Sequence, residues 1–76
     1  MMDWQPIESQ MFTAAAYDAE RSILYLRFTS GDVYRYFEFP EEHYRTFLTA
    51  ESRGRYFLSH IRHQFRYERL AKLQVA

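Results

Sequence analysis

Ile23-Leu24-Tyr25-Leu26-Arg27-Phe28-Thr29-Ser30-Gly31-Asp32-Val33-Tyr34-Arg35-Tyr36 is the stretch that decides how this chain folds. Leu24, Leu26 and Phe28 alternate with Tyr25, Arg27 and Thr29, the period of a strand with one buried face. A second run, Val33–Glu38, follows a short polar turn, so the two read as an antiparallel hairpin. The turn sets the register. A two-residue loop, Ser30-Gly31, pairs Leu26 with Arg35 and puts that arginine on the leucine face. Burying an unpaired guanidinium costs several kcal/mol. A three-residue loop, Thr29-Ser30-Gly31, places Gly31 at the left-handed position of a bulged turn. It pairs Phe28 with Asp32, Leu26 with Tyr34 and Leu24 with Tyr36. A one-residue slip exchanges the two faces, and the charge argument favours the three-residue loop. The inner face is then Leu24, Leu26, Phe28, Tyr34 and Tyr36, and the outer face Tyr25, Arg27, Val33, Arg35 and Phe37.

Working outward, Phe12–Tyr17 reads as another strand, although Ala14, Ala15 and Ala16 are weak strand formers. Their small side chains permit close approach of a helix. Residues 1–10 read as irregular, with Trp4 and Ile7 as apolar anchors. Beyond the hairpin, Pro40 opens a helix, where its missing N–H costs nothing, and Glu41 and Glu42 suit the positive end of the helix dipole. Tyr44, Phe47, Leu48 and Glu51 follow the spacing of one helical face. Ser52-Arg53-Gly54 is a break, with Gly54 a candidate left-handed C-terminal residue. A second helix carries Phe57, Ile61 and Phe65 on one stripe and extends through Tyr67, Leu70 and Leu73. The expected architecture is α+β: a three-stranded antiparallel sheet in β-β-β-α-α order with two helices packed on one face. Residues 1–76 form a single domain, with a core over 9–65, an irregular segment at 1–8 and a helical extension at 66–76.

A domain of 76 residues buries only about 60% of its unfolded surface. It has no cysteine with which to build a disulfide or a thiolate metal clip. Seven Phe, seven Tyr and one Trp compensate, because each large ring can bury about 150–250 Å². The expected core joins Phe47, Phe57 and Ile61 to the inner sheet face. No apolar run reaches the ~18 residues of a membrane helix, and the first residues lack the basic flank and apolar segment of a secretory signal. The expectation is a soluble, cytoplasmic protein with no membrane partner.

The ordered set of these features resembles the KTSC domain family, a short module found at the C-terminus of some lysyl-tRNA synthetases and as a free-standing bacterial protein. The likeness runs from about Ser9 to Phe65. It rests on Phe12 followed by Tyr17-Asp18, on Leu24, Leu26, Phe28 and Gly31, and on Tyr34-x-Tyr36, Pro40 and Tyr44. It continues through Ser52-x-Gly54-x-Tyr56-Phe57, Ile61 and Phe65. Ala16 and Leu58 depart from the family, which tends to have Gly and Asn there. The resemblance implies RNA binding as a function class, by association with a tRNA-charging enzyme, and no established catalytic activity.

The residues themselves offer little catalytic chemistry. His60 and His63 lie three apart with His43 elsewhere, and a metal site needs a third converging ligand; solvated histidines are the simpler reading. There is no Gly-rich phosphate loop, and no nucleophile triad that the spacing supports. The expectation is a non-enzyme without cofactor or metal. Charge is more informative. Residues 1–44 carry eight acids against three arginines, and residues 45–76 carry two acids against seven bases. Nine of the ten bases are Arg, which forks onto phosphates and stacks on bases.

Two groups of residues are candidates for RNA. Arg53 and Arg55 flank the turn before the second helix, and Arg62, Arg66 and Arg69 form a basic stripe if that helix continues; these are phosphate candidates. Tyr25 and Phe37, with Arg27 and Arg35, are stacking candidates on the outer face. The same features also fit a solvated polar helix face, or a sheet face covered by the N-terminal segment or by another subunit. A protein-interaction or homodimeric domain using the outer face is therefore the alternative to an RNA-binding module.

Overall fold

In the computed structural model, which describes residues 3–70, the chain forms β1 (Gln5–Pro6), β2 (Phe12–Asp18), β3 (Ile23–Phe28), β4 (Val33–Tyr36), α1 (Glu41–Thr49), α2 (Arg53–His60) and β5 (Tyr67–Leu70). The strands make one antiparallel meander in the order β1-β2-β3-β4-β5. The sheet thus has five strands where three were expected. Both helices pack on one face. No helix among the described residues is long and apolar enough to cross a membrane.

The β3–β4 register is the one the charge argument selects. Leu24 faces Tyr36, and Leu26 faces Tyr34. The Phe28 amide donates to Asp32 O at 2.9 Å, and the Gly31 amide donates to Phe28 O at 2.9 Å. Gly31 has φ +96°, a backbone state that a residue without Cβ adopts freely. In β2 a bulge between Phe12 and Ala14 absorbs one residue. Phe12, Ala15 and Tyr17 consequently share the inner face with Leu24 and Leu26. Of the three alanines, only Ala15 belongs to the helix-side core; Ala14 and Ala16 are buried on the outer face, across from Arg27 and Tyr25.

The core is aromatic. Phe12, Phe39 and Phe47 are fully buried with Leu24, Leu26 and Ile61. Phe12 lies edge-on to Phe47 and Phe57 at 5.8 and 5.2 Å between centroids. Three arms lock the periphery to this centre. The Tyr17 hydroxyl donates to Phe39 O at 2.5 Å, the Tyr17 ring stacks on Tyr44 at 5.1 Å, and Phe65 packs on Phe39 at 4.7 Å. The core residues expected from sequence all lie in this cluster or against it.

The C-terminal part departs from expectation. Helix α1 ends at Thr49, with Ala50 after it in extended conformation, and Gly54 lies inside α2 rather than in a left-handed cap. Ser52 is the N-cap of α2, its Oγ accepting the Arg55 amide at 3.2 Å. Helix α2 stops at His60. The amides of Ile61 and Arg62 both donate to Phe57 O, and Gln64 N donates to Ile61 O, turning the chain back. The Phe37 amide then donates to Arg66 O at 2.9 Å, and β5 pairs with β4 from Val33–Leu70 to Tyr36–Tyr67. The expected helical extension is therefore a strand over Tyr67–Leu70, and Leu73 lies outside the described residues. The physical reason is the free edge of β4. Its unpaired amides and carbonyls need partners, and Tyr67, Glu68 and Arg69 bring a ring and two ion-pairing groups to it.

Candidate nucleic-acid interface

The outer face of the sheet carries no helix. β-strand alternation sends Tyr25 and Arg27 of β3, Arg35 of β4 and the following Phe37 to this side. Two further residues join them. Trp4, just before β1, sets its ring edge-on to Tyr25, with centroids 6.4 Å apart and planes at 70°. Arg66, just before β5, brings its guanidinium carbon to 4.4 Å from the Phe37 centroid. The result is a ribbon across the sheet in which rings and guanidiniums alternate.

Each arginine in the ribbon is oriented by its neighbours. Arg27 lies 5.7 Å from the Trp4 centroid, and its Nε donates to Thr13 Oγ1 at 3.0 Å. Arg35 lies 5.4 Å from the Phe37 centroid. Its Nε donates to Glu68 Oε1 at 2.7 Å, and its Nη2 also approaches that oxygen. The Glu68 carboxylate, and after it Tyr25, hold the Arg35 guanidinium even more firmly charged than usual. Among the described residues, Arg27 and Arg66 have no carboxylate partner. Glu68, the acid directly opposite Arg35 on this face, is already taken by that arginine. The ribbon therefore carries net positive charge, and its rings, Trp4, Tyr25 and Phe37, are half-buried.

The other phosphate candidates do not gather here. Arg53 turns its Nη2 to Leu48 O at 2.8 Å, so it satisfies a carbonyl at the end of α1, and its Nε is buried without a partner. Arg55 is exposed in the first turn of α2, on a shallow surface cleft that Glu8 and Glu51 also line. The Arg62, Arg66 and Arg69 stripe required a continuous helix and does not exist. Arg62 lies past the end of α2, Arg66 is on the outer face, and Arg69 pairs with Asp32 at 3.2 Å. Two of the histidines meet Tyr56. His43 Nδ1 is 3.3 Å from the Tyr56 hydroxyl, and His60 packs on the Tyr56 ring. No group of three metal-ligating side chains converges among the described residues.

Sequence reasoning missed Trp4 as part of the ribbon and placed Arg66 on the wrong element. A signal for the first was present. Pro6 is tolerated on an edge strand, so Trp4-Gln5-Pro6 could have been read as a short edge strand placing Trp4 next to Tyr25.

The family model for the KTSC domain matches residues 8–65. The chain belongs to the KTSC domain family. A solved KTSC domain protein from Yersinia pestis superposes with TM-score 0.90 at 28% identity, covering 93% of this chain and all of that one. A small protein from Tsukamurella paurometabola is 45% identical over 62 residues, 82% of this chain and 92% of the relative. A lysine–tRNA ligase from Nostoc sp. is 36% identical over 64 residues, which are 84% of this chain but 11% of the ligase. The family's motif residues serve the KTSC fold in this chain. Tyr17 binds Phe39 O, Asp18 accepts the amides of Glu20 and Arg21, Ser52 caps α2, and Tyr34 and Tyr36 line the inner face.

Proposed function

We propose that this KTSC domain is a small, non-catalytic RNA-binding module that holds single-stranded or tRNA-like RNA on the outer face of its sheet. The observation that carries the reading is the uncovered ribbon of Trp4, Tyr25 and Phe37 interleaved with Arg27, Arg35 and Arg66. Rings on an open sheet stack unpaired bases, and neighbouring guanidiniums contact the phosphates between them. A relative that is a tRNA ligase supports RNA as the polyanion. Neither a cofactor nor a metal is needed for this role. The unpaired charges of Arg27 and Arg66 argue against the same face pairing with a second copy of itself, because like charges brought together across an interface are costly.

Trp4 is the single tryptophan of the chain, so its fluorescence reports on this face alone. Titration with tRNA and with a short single-stranded RNA should change Trp4 emission saturably. Unchanged emission, or sedimentation as a dimer that RNA does not dissociate, overturns the reading.

A further inference from the structure

On the opposite side of the sheet, between α2 and β5, lies a cleft of about 430 Å³, within the range of small-ligand sites. Phe28, Tyr34, Tyr36 and Phe57 line it. Its lips are Leu58 on α2 and Tyr67 on β5, the exposed large hydrophobics among the described residues, at 49% and 55%. The tyrosines cluster. Tyr67 lies 5.8 and 5.9 Å from the Tyr34 and Tyr36 ring centroids, and Tyr34 stacks on Tyr36 at 6.4 Å.

Polar groups line the cleft besides its rings. Tyr36 is 3% exposed, and its hydroxyl, which makes no hydrogen bond to any described residue, keeps contact with solvent. Burial, with Tyr34 and Tyr67 nearby, pushes the Tyr36 phenol above its ordinary range. Arg62, exposed after α2, lines the same cleft and brings a guanidinium to it. Asp32, just before β4, also lines the cleft and is paired with Arg69.

An occupant must therefore be planar and apolar enough to sit between Leu58 and Tyr67. It must offer an acceptor to the Tyr36 hydroxyl and carry an anion to Arg62. We infer that the cleft binds one nucleotide, with the base between Leu58 and Tyr67, an acceptor atom of the base on the Tyr36 hydroxyl, and the phosphate on Arg62. The nucleotide is either a free mononucleotide or one residue turned out of an RNA strand. The site is on the face remote from Trp4 and does not rest on the outer-face reading.

The test is a ¹H–¹⁵N NMR titration of the intact chain with UMP, AMP, uridine and a short single-stranded RNA. The mononucleotides should shift the amides of Tyr36, Leu58 and Tyr67 saturably, and uridine should bind more weakly than UMP. Tyr36→Phe removes only a hydroxyl that bonds nothing in the free protein, so the fold is retained, and UMP should bind about three- to tenfold more weakly. Arg62→Ala should abolish the difference between UMP and uridine. Equal affinity for UMP and RNA at these amides assigns a free nucleotide; tighter, Tyr36-dependent RNA binding assigns a nucleotide within a strand. The inference is overturned if these amides do not respond at millimolar concentrations, or if Tyr36→Phe binds as the wild type does. It is also overturned if N-acetylphenylalanine, mimicking a peptide C-terminus, binds more tightly than UMP.

Discussion

Arg66 lays its guanidinium 4.4 Å from the centre of the Phe37 ring, on the sheet face that no helix covers. The contact joins the approach to β5 to the end of β4, where the Phe37 amide also donates to Arg66 O. It fixes a positive charge beside an aromatic surface without neutralising it. Arg66→Ala should cost the fold only about 0.5–1 kcal/mol in urea titrations, the value of an exposed cation–π contact. RNA affinity should drop more noticeably, with the salt slope shallower by about 0.7 for one lost phosphate contact on a single strand.

Phe12 is the hub of the core, with ring centroids of Phe28, Phe57 and Phe47 at 4.8, 5.2 and 5.8 Å. Phe12→Ala should cost about 3–5 kcal/mol. For a domain this small that is most of its stability, so the urea midpoint should collapse or the variant should be unfolded in water by circular dichroism.

Gly31 has φ +96° and open space where a Cβ would stand. A substitution there meets no neighbour, and its cost is backbone strain alone. Gly31→Ala should destabilise by about 1 kcal/mol, and Gly31→Asn by less, because Asn tolerates the left-handed region. Equal losses in urea would contradict backbone strain as the source of the cost.

Asp18 closes the β2–β3 connection. Desolvation pulls its carboxyl upward, but the Arg21 amide and guanidinium and the Glu20 amide outweigh it and hold the group below its ordinary range. A depressed folded-state value means that the contribution is complete above the unfolded value, about pH 4, and is lost as pH falls through the folded one. Asp18→Asn should therefore be less stable than wild type at pH 7, and the gap in urea midpoint should narrow below about pH 4.

The hairpin register was legible because a single charge discriminated between its alternatives. Arg35 belongs with Arg27 on the open face and not with Leu26, and this alone placed Tyr34 and Tyr36 in the core. Strand β5 was not legible. Tyr67-Glu68-Arg69-Leu70 has neither apolar alternation nor strong strand propensity, and its pairing is dictated by the open edge of β4, a tertiary need invisible in local sequence. The same error created a basic helical stripe from Arg62, Arg66 and Arg69, which the turn after Ile61 sends to three different places. Strand β1 was hidden for a related reason: two residues leave no period to detect, although they bring Trp4 to Tyr25.

The central claim is that the outer face holds RNA through Arg27 and Arg66. Its most direct test is an anisotropy titration of a labelled single-stranded RNA at about 50 and 200 mM salt, with wild type and Arg27→Ala/Arg66→Ala in parallel. The account predicts binding by the wild type that weakens steeply with salt. It predicts weaker binding by the double variant, with a slope reduced by about 1.4 for two lost contacts. No binding at the lower salt, or affinity and slope unchanged in the double variant, would contradict it.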